Sequence, residues 1–298
     1  MAIGMETVKP LRVALIHRDS DRCTNKRMVG IWSYPVPEFY WEHFPQEKGF
    51  EFNKDRVAGD FDCIFYEDGK LHGSFCGHSD VPVVYYVVDS TLSEQHYQLR
   101  REQAARTDLI LIDHDDLNRF EGRVPVRRLA HCVNDRLFKD YGLDKTIDIS
   151  FHCRTEGSAP RKSLEWELEG LCASLGRSYA SGVRYDEEYA RAFNRSKVTV
   201  NLTRTPTNRP HRVLDALACV TCLLTNPLPS VKPVELVAGI HYMTYRNLEE
   251  LGSKAENLLE GGGWRCFAEN AYRHVMEHHT WAARARQLRV ILMEELGL

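Results

Sequence analysis

The sequence has no run of the roughly 18 uncharged apolar residues that a bilayer-spanning helix needs, and Met1–Pro10 carries no apolar signal-peptide core. A cytoplasmic location is the expectation. Basic residues are not in excess either: 39 Lys and Arg against 42 Asp and Glu leave a net charge of −3, and the halves on either side of residue 145 carry −4 and +1. Neither half is the basic footprint of a nucleic-acid-binding domain, although a local patch remains open. There is no Walker loop and no dinucleotide glycine fingerprint, so two common phosphate cradles are excluded. The nine cysteines are odd in number and scattered through a 298-residue chain that is long enough to build two cores. Free thiols are therefore expected rather than a disulfide framework. Cys219–Cys222 has no second pair at ligand spacing, and His274 and His278 lack the glutamate of an HExxH helix, so the reading assigns no metal site.

What is present is a regular alternation of apolar and charged segments. Leu11–His17, Phe61–Glu67, Pro82–Asp89 and Asp108–Asp113 are short β-rich runs that each end on or lead into polar residues, the pattern of buried parallel strands. Thr91–Arg106 has helical length without Pro or Gly, and Val126–Ala130 reads as a further strand. After a polar stretch, Ile147–Cys153 restarts the pattern, followed by helices at Arg161–Leu175, Asp186–Asn194 and His211–Cys219 and strands at Ser178–Ala180, Lys197–Leu202 and Thr221–Thr225. This order predicts an α/β protein of two Rossmann-like, doubly wound domains facing across a cleft, residues 1–140 and 141–298, the second closed by the C-terminal helix. Open α/β sheets bind ligands beyond the carboxyl ends of their strands, which is where candidate residues are sought.

The densest group of such residues lies in Asn201–Asn226. A strand delivers the chain to a loop with Arg204 and Arg209, and a helix then opens with His211, Arg212 and Asp215. Guanidinium groups bind phosphate oxygens in pairs, and a carboxylate accepts hydrogen bonds from ribose hydroxyls. A solvated basic loop, with Asp215 merely favourable near the start of its helix, is the competing reading. Arg161 and Lys162 open the first helix after the strand Ile147–Cys153, where an ordinary charged helix start is the alternative. A second feature is Ile31–Phe52, with eight aromatics in 22 residues, among them Trp32, Tyr34, Tyr40 and Trp41, interleaved with Pro35, Pro37 and Pro45. Aromatic faces stack on sugars and on nucleobases, or simply cover a core; a mobile acceptor loop fits the prolines.

The order of motifs in Tyr185–Leu288 resembles the C-terminal domain of the spore-maturation CgeB-like glycosyltransferases, a branch of the GT-B superfamily. The resemblance runs through Tyr185, Tyr189 and Ala190, Val200–Leu202, Arg212-Val213-Leu214-Asp215-Ala216-Leu217-Ala218 and Cys222–Thr225. It continues through Val237-Ala238-Gly239, Met243-Thr244-Tyr245, Glu249-Glu250-Leu251 and His279-Thr280-Trp281-Ala282-Ala283-Arg284. Two positions depart from it: Asp215 stands where the family carries glutamate, and Val220 where it usually carries glycine. Many retaining relatives also carry a second glutamate eight positions earlier, where this chain has Thr207.

The resemblance implies a nucleotide-sugar donor, with UDP-sugar the leading choice, held by the second domain through Arg161, Lys162, Arg204, Arg209, His211, Arg212 and Asp215. The first domain would present a hydroxyl acceptor, with Trp32, Tyr34, Tyr40 and Trp41 as its contacts. No DxD dyad follows a strand of the second half. Expected catalysis is therefore metal-independent, without a cofactor, and rests on arginines and helix ends that stabilise the departing diphosphate. An inverting reaction needs a base; Asp89, His17 and Asp19 at strand ends are the candidates, Asp89 first. Two alternatives stand beside this reading. One is a phage-type transferase acting on hydroxymethylated DNA bases, for which Arg119, Arg123, Arg127 and Arg128 would line a groove. The other is a catalytically silent nucleotide-sugar-binding module.

Overall fold

The computed structural model describes residues 9–18, 39–46, 52–53, 60–67, 75–76, 80–87, 94–113, 117–120, 122, 124–203, 209–229 and 235–298. They form two compact units. One gathers the described residues up to Ala130 together with Ala282–Leu298, and the other runs from His131 to Trp281.

In chain order the first unit contributes the strands β1 (Leu11–Arg18), β2 (Phe39–Gln46), β3 (Phe52–Asn53), β4 (Cys63–Glu67), β5 (Phe75–Cys76) and β6 (Val83–Val87). Helix α1 (Glu94–Ala104), β7 (Leu109–Ile112), a 3₁₀ turn at Leu117–Phe120 and β8 (Val126–Arg128) follow. Six strands make one parallel sheet in the order β2-β1-β4-β6-β7-β8, and β3 and β5 pair separately. β6 and β7 are buried along their whole length, which is why VVYYV and LILI read as continuous apolar runs rather than alternating ones. One core packs Tyr66 and Tyr85, ring centroids 5.5 Å apart, with Ile110 and Ile112 against Tyr97 of α1.

The described part of the aromatic stretch Ile31–Phe52 is strand. Phe39–Gln46 is the edge strand β2, in parallel register with β1 from Leu11 opposite Phe39 to Arg18 opposite Gln46. Pro45 cannot donate to a ladder and is tolerated because β2 has one unpaired side.

The second unit holds β9 (Ile147–Phe151), α2 (Ala159–Ser174), β10 (Tyr179–Ser181), α3 (Asp186–Asn194), β11 (Ser196–Asn201) and α4 (His211–Leu217). It continues with β12 (Cys222–Thr225), β13 (Met243–Thr244), α5 (Leu248–Glu260) and α6 (Trp264–His278). The last helix, α7 (Trp281–Leu296), has its residues from Ala282 onward in the first unit, where Glu295 pairs with Arg127 and Gln287 donates to the Arg128 carbonyl at 3.4 Å. The second sheet is parallel throughout, in the order β10-β9-β11-β12-β13. Both of its faces are covered. Leu164 and Leu168 of α2, Leu251 and Ala255 of α5 and Trp264 pack one side, and Tyr189, Phe193, Val213, Leu217 and Val275 pack the other.

The strand order fixes where a ligand can go. From β9 the chain moves outward to β10, then returns to place β11 on the other side of β9. The crossovers after β9 and β11 therefore diverge to opposite faces and leave a crevice between them, the topological switch point of the sheet. The first sheet has the same feature between β1 and β4.

Candidate functional site

A cavity of about 340 Å³ opens at the switch point of the second sheet, lined by Gly157, Ser158, Ala159, Pro160, Leu202 and Thr203. One wall is the start of α2. Gly157 is in the left-handed region at φ 71°, Ser158 occupies the N-cap without a capping side-chain bond, and Pro160 fixes the helical φ in the first turn. The backbone of this turn presents N–H groups that have no carbonyl partner within the helix, at the positive end of a 16-residue dipole. An anion is favoured there. The opposite wall is the carboxyl end of β11.

That end is held by a polar lattice. Asn201, 1% exposed, donates through Nδ2 to Thr203 Oγ1 (3.0 Å) and Thr225 Oγ1 (2.8 Å), and its carbonyl accepts from the Tyr245 hydroxyl (3.0 Å). Asn226 closes the lattice by accepting the Thr203 N–H at 2.7 Å and donating to the Thr203 carbonyl at 3.2 Å. Arg212 Nε donates to Asn201 Oδ1 at 2.6 Å, and its Nη2 donates to the Leu202 carbonyl at 3.3 Å. Arg212 is thus oriented by the same strand end that forms the wall.

Arg161 and Arg212 share a neighbour in Cys153. Arg161 is in the first turn of α2, nine-tenths buried, and donates to the Arg154 carbonyl at 3.5 Å. Both guanidinium groups act on Cys153 just beyond β9: burial raises its thiol pKa, and Arg212 and Arg161 pull it back. Two cations therefore stand where β9 and β11 release the chain.

The other sequence candidates are distributed differently. Lys162 is exposed on α2. Asp215 is 3% exposed in the second turn of α4, where its charge raises the Cys219 thiol. His211 packs its ring on His131, centroids 3.7 Å apart. Arg209, 5% exposed, acts on Tyr242 and His274, so it serves a neighbourhood different from that of Arg212 three residues later. There His274 stacks on His241 at 4.3 Å, and burial, helped by the adjacent imidazoles, lowers its pKa to about 4. His17 falls at the carboxyl end of β1, beside the switch point of the first sheet, with Glu67 at the end of β4. Tyr40 is exposed on β2, which also contains Trp41. Asp19, Asp89, Trp32, Tyr34, Arg204, Thr207 and Arg123 lie outside the described residues.

Of the basic residues that would line a DNA groove, Arg119 covers the Tyr97 ring at 4.3 Å and pairs with Glu94, and Arg127 pairs with Glu295. Cys219 and Cys222 are fully buried, the Cys222 thiol pushed up to about 12 by burial and the Cys219 thiol well above its ordinary value, which makes them core groups rather than reactive ones. Sequence reading passed over two groups. The Gly157–Pro160 turn was detectable from Gly and Pro bracketing a helix start. The lattice that links Asn201 to Asn226 through Thr203 carried no local signal, because its members come from the ends of different strands.

A family model described as glycosyl transferase-like matches residues 137–289, just over half the chain. No curated protein matches. Among solved structures, Anabaena HepE in complex with UDP and glucose superposes with a TM-score of 0.62 at 10% identity, covering 95% of this chain and 100% of that one. Sucrose-phosphate synthase from Thermosynechococcus elongatus superposes at 0.60 and 13% identity over 95% and 98% of the two chains. The pneumococcal O-GlcNAc transferase GtfA, in complex with UDP and GlcNAc, does so at 0.54 and 11% identity over 72% and 53%. The chain belongs to the glycosyl transferase-like family and has the α/β fold of GT-B glycosyltransferases.

Proposed function

We propose that the protein transfers a sugar from a UDP-sugar to a hydroxyl acceptor, that it does so without a metal ion, and that it sits in the CgeB-like branch of its family. The observation that carries this reading is the cavity between the start of α2 and the end of β11, together with Arg161 in that first turn of α2 and Arg212 bonded to the carbonyl of the lining residue Leu202. Cleavage of a sugar–phosphate bond places negative charge on the leaving diphosphate. Donors and cations fixed before the reaction stabilise that charge without reorganisation. The α2 turn supplies N–H groups, and the two arginines supply positive charge, which is the work a divalent ion does in other transferases. The bound UDP and sugars of HepE and GtfA, on the same fold, support the choice of donor.

Asp215, with His211, is assigned to the ribose side, and Lys162 and Arg204 to the outer rim of the donor; Arg209, buried in the neighbourhood of Tyr242 and His274, is not assigned to that rim. His17, Asp19 and Asp89 are the proposed acceptor-side bases, and Trp32, Tyr34, Tyr40 and Trp41 the acceptor contacts. Isothermal titration with UDP, GDP and ADP, followed by assays of donor hydrolysis in EDTA, tests the proposal. UDP is expected to bind, and UDP-sugar hydrolysis to survive chelation. No binding by any nucleotide overturns the donor reading, loss of turnover in EDTA overturns metal independence, and binding without turnover favours a silent binding module.

A further inference from the structure

Lys145 lies in the loop before β9, yet its ammonium reaches the turn that joins α4 to β12. Nζ donates to the Val220 carbonyl at 2.6 Å, to the Cys219 carbonyl at 3.3 Å and to Thr221 Oγ1 at 3.5 Å. The turn it grips is a strained one. Val220 has φ 52°, in the left-handed region that a β-branched side chain strongly disfavours. Its neighbour Thr221 is tied down too, donating to the Phe193 carbonyl at 2.6 Å.

The helix on the other side of this turn is short. α4 has seven residues, two turns, so little of its persistence comes from its own hydrogen bonds. The Leu214, Ala216 and Leu217 carbonyls accept from the Ala218, Cys219 and Val220 N–H groups, so the turn itself closes the helix at its negative end. The Lys145 ammonium satisfies the next carbonyls, those of Cys219 and Val220 in the turn, and places a positive charge at that end of the dipole. At the other end of α4, Arg212 is bound to Asn201 and Leu202. The helix is therefore pinned at both ends by cationic side chains, one in the donor site and one behind it.

We propose that Lys145 is a positioning residue: its ammonium locks the left-handed turn at Val220 and so fixes α4, which presents Arg212 to the bound diphosphate. The inference rests on the donor site described above, but it makes a separate claim about which group holds α4 in place. Lys145 touches no substrate; it acts through the backbone of residues 219–221.

The test compares K145M, K145R, V220G and K145M/V220G by UDP titration at a temperature where each is folded by circular dichroism. Hydrogen exchange of peptides spanning 211–218 is measured in parallel. With two carbonyls deprived of their donor, K145M is expected to bind UDP about tenfold more weakly and to exchange faster in α4. K145R is expected to recover part of both losses. Because glycine adopts the left-handed turn without strain, V220G should make Lys145 dispensable, so that K145M/V220G matches V220G in affinity and exchange. Wild-type affinity and exchange in K145M, or a Lys145 effect that persists undiminished in the V220G background, overturns the proposal. If K145M does not fold, the V220G pair decides it by the same comparison. If the wild type binds no UDP, the donor reading falls, and the exchange data still decide whether Lys145 holds α4.

Discussion

Arg212 Nε lies 2.6 Å from Asn201 Oδ1, so the cation at the start of α4 and the amide at the end of β11 form one unit. The bond explains how a side chain on a two-turn helix keeps a fixed direction: Asn201 is itself held by Thr203, Thr225 and, through its carbonyl, Tyr245. Arg212→Ala leaves the Asn201 and Leu202 oxygens without this donor and removes a charge from the proposed diphosphate site. The expected result is a loss of about 1–3 kcal/mol of stability in urea unfolding and at least about a tenfold drop in UDP affinity by calorimetry. Arg212→Lys keeps the charge but not the fork, and is expected to fall between.

Ala159 opens α2, is exposed, and lines the cavity. A bulky side chain there fills the space without entering a core. Ala159→Trp is expected to abolish UDP binding while shifting unfolding free energy by no more than about 0.5 kcal/mol, as surface substitutions do. Retained UDP affinity in titration places the diphosphate elsewhere.

His152, at the end of β9, is 2% exposed and packs on Phe193 and Tyr189 with centroids 5.5 and 6.2 Å away. Burial, then the Arg184 charge, lowers its pKa to about 4, with the Gly182 backbone opposing. The unfolded chain binds this proton near its ordinary pKa of 6.5, so between about pH 6.5 and 4 the unfolded state holds more protons. Stability is therefore complete above pH 6.5 and falls as pH drops toward 4, by up to about 3 kcal/mol from this residue. Urea unfolding at a series of pH values should show a shallower acid slope in His152→Leu than in the wild type.

Cys266 is exposed, whereas Cys63, Cys153, Cys172, Cys219 and Cys222 are buried. Burial holds the Cys63 and Cys222 thiols up at about 12, far from the thiolate form that reacts. Iodoacetamide at pH 8 with peptide mapping is expected to label Cys266 within minutes and to leave Cys219 and Cys222 unmodified until denaturant is added.

Much of the architecture was legible in the residues. Runs such as Val83–Val87 and Leu109–Ile112 are apolar on both faces because helices cover both sides of a parallel strand, and that continuity is visible without a structure. Asp186–Asn194 was readable for a different reason, its acidic first turn and its strong apolar face around Tyr189 and Phe193. β2 was not readable, because FYWEHFPQ has neither a continuous apolar run nor clean alternation. Its strand character comes from pairing with β1.

The donor side shows the same division. Sequence by itself determined most of the strands and helices, their parallel arrangement and the presence of arginines just beyond strand ends, since these follow from local composition and spacing. Only the tertiary structure decided which of those arginines act together. Arg161 and Arg212 are 51 positions apart and both act on Cys153 because β9 and β11 are neighbours across the switch point; Arg209 and Arg212 are three apart, yet one acts on His274 and the other is bonded to Asn201. Strand order and the closing of α4 by Lys145 depend on contacts between distant segments, and no local pattern encodes them.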